Sequence, residues 1–224
     1  MAKTIESIAD NIVRDLPGSV SYDREKAIVQ VIQEFAKRSG IFKFTTEHSV
    51  TEYDVDDNAN DSVALNPTGL GKFRPYRIES LKIDGVKQTL VQKELKTDLD
   101  DFDLIYKTGI VYYNVDYRGR IILFPFPADT AFETTTGILI VTIEAVYIPD
   151  ESVTEIDDFF YARWGTFIEA GATGLLMAEH NKPWSSPKAS SYMEEYETGR
   201  NRALMKRNLE ENNGELFVQK IPFI

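Results

Sequence analysis

The sequence predicts an α+β chain: a four-helix bundle from an N-terminal and a C-terminal helix pair, an inserted antiparallel β-sheet or sandwich, and an extended C-terminal tail. Three observations carry that prediction. Apolar residues recur at helical spacing at both ends of the chain. Between residues 41 and 149 the period shifts toward alternation, in runs spaced about 10 residues apart. Seven of the last nine residues are apolar: Leu216, Phe217, Val218, Ile221, Pro222, Phe223 and Ile224.

The elements follow in order. Thr4 can cap a helix whose stripe is Ile5, Ile8, Ala9, Ile12 and Val13, and Leu16-Pro17-Gly18 stops it. A second helix starts near Ser21 or Asp23. Its face is Ala27, Ile28, Val31, Ile32, Phe35 and Ala36, with Lys37 and Arg38 suited to the negative end and Gly40 to the C′ position. Strands are expected over 43–55, 75–84, 86–95, 109–115, 120–126 and 137–148. Asp84-Gly85 is a hairpin turn between two of them, and Tyr117-Arg118-Gly119 joins two others. A helix is expected over 156–179. Gly165, Gly171 and Gly174 inside it cost helix stability, about 1 kcal/mol each against Ala, and let another helix approach closely. Asn181-Lys182-Pro183 ends it. Ser186-Pro187 then reads as cap and first position of a last helix reaching about 211. The division is 1–40 with 150–211 as a helical bundle, 41–149 as the β insertion, and 212–224 as tail.

Composition narrows the function classes. The 224 residues carry a formal charge of −11, two His and no Cys. No Cys means no disulfide, thiolate zinc site, iron–sulfur cluster or cysteine nucleophile. His48 and His180 leave little for histidine-based catalysis or metal binding. The acidity argues against wrapping nucleic acid. No run approaches the roughly 20 apolar residues that span a bilayer, and the start, MAKTIESIADNIVRDL, has no apolar signal core. No cofactor, metal or catalytic residue is expected. The balance points to an assembly or binding protein.

The chemical motifs fail on inspection. In Glu52–Asp61, Asp54, Asp56 and Asn58 match the first ligands of an EF-hand, but Ala59 and Leu65 occupy its two most diagnostic positions. A solvated loop is the better reading, with a weaker cation site as the alternative. Asp98, Asp100, Asp101 and Asp103 read as a charged turn, with a carboxylate-dependent hydrolase as the rival. Gly69-Leu70-Gly71 lacks a phosphate-loop continuation. Tyr112, Tyr113 and Tyr117 would suit a carbohydrate-binding module if they formed an exposed platform. Gly199–Arg207 holds four basic residues, read as half of a mixed-charge helix or as a lumen or partner contact. The apolar tail either packs on its own domain or docks into another subunit, since a solvated one would aggregate.

A wider pattern ties these pieces together. It includes Ile32–Glu47 (IQEFAKRSGIFKFTTE), Ile148-Pro149-Asp150, Phe159–Trp164 and Glu169-Ala170-Gly171-Ala172. It continues through the turn Asn181-Lys182-Pro183-Trp184-Ser185-Ser186-Pro187 and a helix bearing Tyr192, Tyr196, Gly199 and Arg202. In these features the chain resembles the head-to-tail connector adaptors of tailed bacteriophages, including the tail tubular protein A type of short-tailed phages. The resemblance spans nearly the whole chain and is sharpest at Lys182–Ser185.

The resemblance implies a virion protein of the phage neck, assembled in the bacterial cytoplasm. It implies a ring, usually of twelve copies, bound beneath the portal protein, with the helical bundle walling a channel through which DNA passes without specific binding. Residues 212–224 would dock on the portal through Leu216, Phe217, Val218, Ile221, Pro222, Phe223 and Ile224. Residues 41–149 would face the tail nozzle or another tail protein. Trp164, Gly171, Trp184, Tyr192 and Tyr196 become candidates for subunit packing. The nearest alternative is a neck or tail-completion protein of a long-tailed phage.

Overall fold

A computed structural model describes residues 2–51, 55–56, 62–65, 72–92, 110–115, 120–124, 138–180 and 182–211. In chain order the elements are β1 (Ala2–Thr4), α1 (Ile5–Asn11), α2 (Ser21–Ser39), β2 (Lys43–Thr51), β3 (Val55–Asp56), β4 (Ser62–Leu65), β5 (Phe73–Ile83), β6 (Val86–Lys87) and β7 (Thr89–Gln92). Then follow β8 (Ile110–Val115), β9 (Ile121–Phe124), β10 (Ile138–Pro149), β11 (Glu155–Asp157), α3 (Asp158–Met177) and α4 (Ala189–Glu211). The chain divides into two compact units, Met1–Ile41 with Pro149–Ile224, and Phe42–Ile148.

The four-helix bundle with an inserted antiparallel sheet does not hold. Among the described residues the chain is α+β with four helices and three sheets. The first helix is seven residues long, too short to be a bundle stave. Thr4 Oγ1 accepts from Ser7 N at 3.2 Å and caps it, but the chain tightens into a 3-10 turn at Val13–Asp15. Leu16 leaves the helical region (φ −126°, ψ 60°) because the ring of Pro17 crowds it there. Val13, expected on the buried stripe, is exposed as a result. A further element was not expected at all. β1 pairs antiparallel with β11, Lys3 opposite Ile156, so Glu155–Asp157 are strand rather than helix.

The helical unit is therefore three long helices, one short one and a strand pair. Phe35 of α2 lies at its centre, with ring centroids of Trp164, Tyr196 and Phe160 at 5.6, 6.1 and 6.2 Å. Gly40 takes the left-handed conformation (φ 64°) that ends α2. Asp157 caps α3 by accepting from Phe160 N at 3.0 Å. Arg24 is buried; its Nε donates to Ala9 O at 3.1 Å and its Nη1 to Ser19 O at 2.6 Å. It thereby satisfies a carbonyl near the end of α1 and fixes the following turn.

The second unit holds two sheets, ordered β2-β10-β5-β6 and β3-β4-β9-β8-β7. They share one core. Val50, Ile78, Leu81, Leu139, Val141 and Ile143 come from the first sheet, and Val63, Leu65, Val111, Tyr113, Ile121 and Leu123 from the second. Alternation delivers these residues to one face of each sheet. The turn Asp84-Gly85 (φ 47° and 79°) is a two-residue hairpin, with Ile83 opposite Val86. The expected return strand, however, is split. Gln88 N still donates to Leu81 O at 2.9 Å, whereas β7 belongs to the other sheet and pairs parallel with β8, Thr89 opposite Ile110. Among the described residues the insertion is thus two sheets with a parallel pair, rather than the wholly antiparallel sheet or sandwich expected. The tail 212–224 lies outside the described residues.

Candidate functional site

The residues nominated for packing between subunits lie on or between α3 and α4, and the contacts they make here are within the chain. Trp164 and Tyr196 are buried against Phe35. Gly171 lies beneath Tyr196: a Cβ built on it would stand 2.7 Å from the tyrosine ring and 2.8 Å from Val31 Cγ1. Tyr192 lies beside Asp15, and its hydroxyl pKa is raised by burial and by that carboxylate. Trp184 is buried in the α3–α4 turn, with Lys182 Nζ 5.3 Å from its ring centroid. Ser185 N donates to Lys182 O at 3.0 Å and Ser186 N to Met177 O at 3.1 Å, which closes that turn onto α3. Leu216, Phe217, Val218, Ile221, Pro222, Phe223 and Ile224 lie outside the described residues.

The rival sites fare unevenly. Tyr113 is buried in the sandwich core, its hydroxyl donating to Gln92 Oε1 at 3.3 Å, so it contributes nothing to an exposed platform. His48 Nε2 lies 3.2 Å from Thr46 Oγ1, and burial lowers its pKa. His180 is exposed just past α3. Asp98–Asp103, Gly69–Gly71 and Tyr117 are outside the described residues, as is most of Glu52–Asp61. Among the described residues, no three His or carboxylate side chains converge to hold a metal ion. Among them, too, no helix is long and apolar enough to cross a membrane.

Sequence reasoning missed a cleft in the helical unit. It encloses about 910 Å³ between one side of α2, the start of α1 and residues 151–155. Its floor is apolar, formed by the buried Ile5, Val29 and Val153. Its walls carry Glu6, Glu25, Glu151 and Glu155 against the one ammonium of Lys26. Ser21 Oγ donates to Glu25 Oε1 at 2.8 Å within α2, and Gln33 Nε2 donates to Pro149 O at 3.0 Å, tying α2 to the segment that leads into residues 151–155. Ile5 N donates to Thr154 O at 2.9 Å and continues the β1–β11 pairing. Helical spacing of Tyr22, Glu25, Lys26, Val29 and Gln33 was the signal that could have shown this face. The strand pair that brings 151–155 against it carries no period.

A polar cluster sits nearby on α3. Asn11 Nδ2 donates to Tyr161 Oη at 2.8 Å and to Glu169 Oε1 at 2.7 Å, while Tyr161 donates to Glu169. Burial, then the bond to Glu169 and its charge, push the Tyr161 hydroxyl to about 12. The cluster fastens α1 to α3. It offers no nucleophile with a general base at neutral pH.

Compared with known proteins, the chain matches no family model and no curated protein.

Proposed function

We propose that this chain is a structural adaptor of a tailed-phage neck, forming a ring under the portal, lining the DNA channel and presenting a platform for the tail. The observation that carries the reading is the Lys182–Ser185 turn. It is the sharpest part of the sequence resemblance, and its Trp184 is buried where α3 passes into α4. A motif that is spent on joining two packed helices suits a scaffold rather than a catalyst. The acidity fits as well, because carboxylates around a channel repel phosphates and let DNA slide. On this reading the protein belongs to the virion neck and is assembled in the bacterial cytoplasm. It meets the portal on one side and a tail nozzle or related protein on the other.

The tail supplies the test. Ordering residues 212–224 on a partner costs roughly 1–2 kcal/mol per residue. Burying its large side chains returns about 1.5–3 kcal/mol each, enough to offset much of that. Deleting residues 215–224 should leave a folded chain, by circular dichroism, that no longer co-sediments with portal rings. Normal co-assembly of the truncated chain would remove the docking role from the tail.

A further inference from the structure

Helix α2 has two working sides. On one, Tyr196 of α4 donates its hydroxyl to Val31 O at 3.4 Å and packs on Phe35, and the Arg207 side chain covers Gly40. The other side is the open cleft. Two positions along an α-helix turn the side chain by about 200°, so Val29 and Gln33 of the cleft sit across the helix from Val31. The cleft and α4 therefore flank α2 on opposite sides.

The chemistry of the two surfaces is complementary. The cleft offers an apolar floor, four carboxylates to one ammonium, and Tyr22 with 71% of its surface exposed. Gly199–Arg207 of α4 carries four basic residues; Arg200 is paired with Glu197 and Arg207 covers Gly40, which leaves Arg202 as the exposed cation. Within it Arg202 is exposed, Leu204 is 37% exposed and Met205 65%. The Arg202 guanidinium stacks 5.7 Å from the ring centroid of Phe167 on α3, which fixes its position at the surface. We infer that the cleft of one copy receives the Arg202–Met205 face of the next, two exposed residues three positions apart on one side of α4, in a head-to-tail contact between copies of this chain. Because donor and acceptor surfaces lie on opposite sides of α2, the contact propagates from copy to copy and makes a ring wherever the rotation closes. The inference rests on the ring reading above for closure, but not for the contact itself.

The absence of native cysteine gives a clean test on the full-length chain. With Gln30→Cys and Met205→Cys in one chain, oxidation should yield reducible multimers that grow by single chains. Each single variant should stay monomeric, and a mixture of the two should stop at the dimer. Failure of the double variant to pass beyond monomer, or dimers of either single variant, would overturn the contact. Sedimentation adds a second reading: Arg202→Glu or Glu25→Arg alone should weaken self-association by about tenfold or more, and the two together should restore it. Native association by both single variants would overturn the contact. The two levels separate cleanly. A ring on the portal that gives no such cross-link would defeat this contact and leave the adaptor reading. Cross-linked multimers from a chain that never binds a portal would do the reverse.

Discussion

Tyr196 shows how one side chain links packing to titration. Its ring stands over Gly171 and against Phe35, and burial, ahead of the surrounding charges, raises its hydroxyl to about 12. Tyr161 reaches about 12 as well, through burial and then Glu169. An unfolded tyrosine titrates near 10.0. Between about pH 10 and 12 the folded chain keeps protons that the unfolded chain would release, so stability falls with rising pH across that window and is intact below it. Urea midpoints followed from neutral pH to about 12 should show the fall in the native chain and a shallower one in a variant carrying Tyr161→Phe and Tyr196→Phe. Equal slopes for the two proteins would contradict this origin.

At the level of elements, the contact between α3 and α4 depends on glycines. Gly174 lies against Met193, Gly171 against Tyr196, and a Cβ on Gly199 would stand 2.1 Å from Phe167 Cγ and 2.5 Å from its Cβ. The near atoms are the root of the Phe167 side chain, so swinging its far end would not make room. Alanine in a helix gains about 1 kcal/mol over glycine, but overpacking costs typically 1–3 kcal/mol. Gly199→Ala should therefore lower unfolding stability by up to about 2 kcal/mol in urea titration, and an unchanged or higher midpoint would contradict so close a contact. Close helix packing was legible from Gly171 and Gly174, as were the Thr4 cap, the Gly40 stop and the Asp84-Gly85 turn, because each depends on local backbone chemistry. Gly165 was misread: it lies under Tyr161 of its own helix. The β1–β11 pair and the parallel β7–β8 pair were not legible. Three or four residues hold too little alternation to announce a strand, and nothing in Gln88 marks the point where the chain changes sheet. The cleft went unread for the same reason, since its far wall arrives through β1–β11.

For the whole molecule, a chain of net charge −11 has its helical unit made from both ends and its sandwich inserted between them. Tyr147 N donates to Phe42 O at 2.8 Å, so the sandwich leaves and returns through neighbouring strands, β2 and β10. Such an insertion can vary without disturbing the helices that would form a ring wall. In a ring, carboxylates facing the lumen would repel passing phosphates, and those of the cleft would be covered by the next copy. Electron microscopy of the full-length protein mixed with the portal rings it is proposed to bind tests this most directly. The account predicts a closed ring of this chain, twelve-fold if it follows the adaptors it resembles, stacked beneath the portal with an open central channel. A chain that remains monomeric and leaves the portal bare would contradict it.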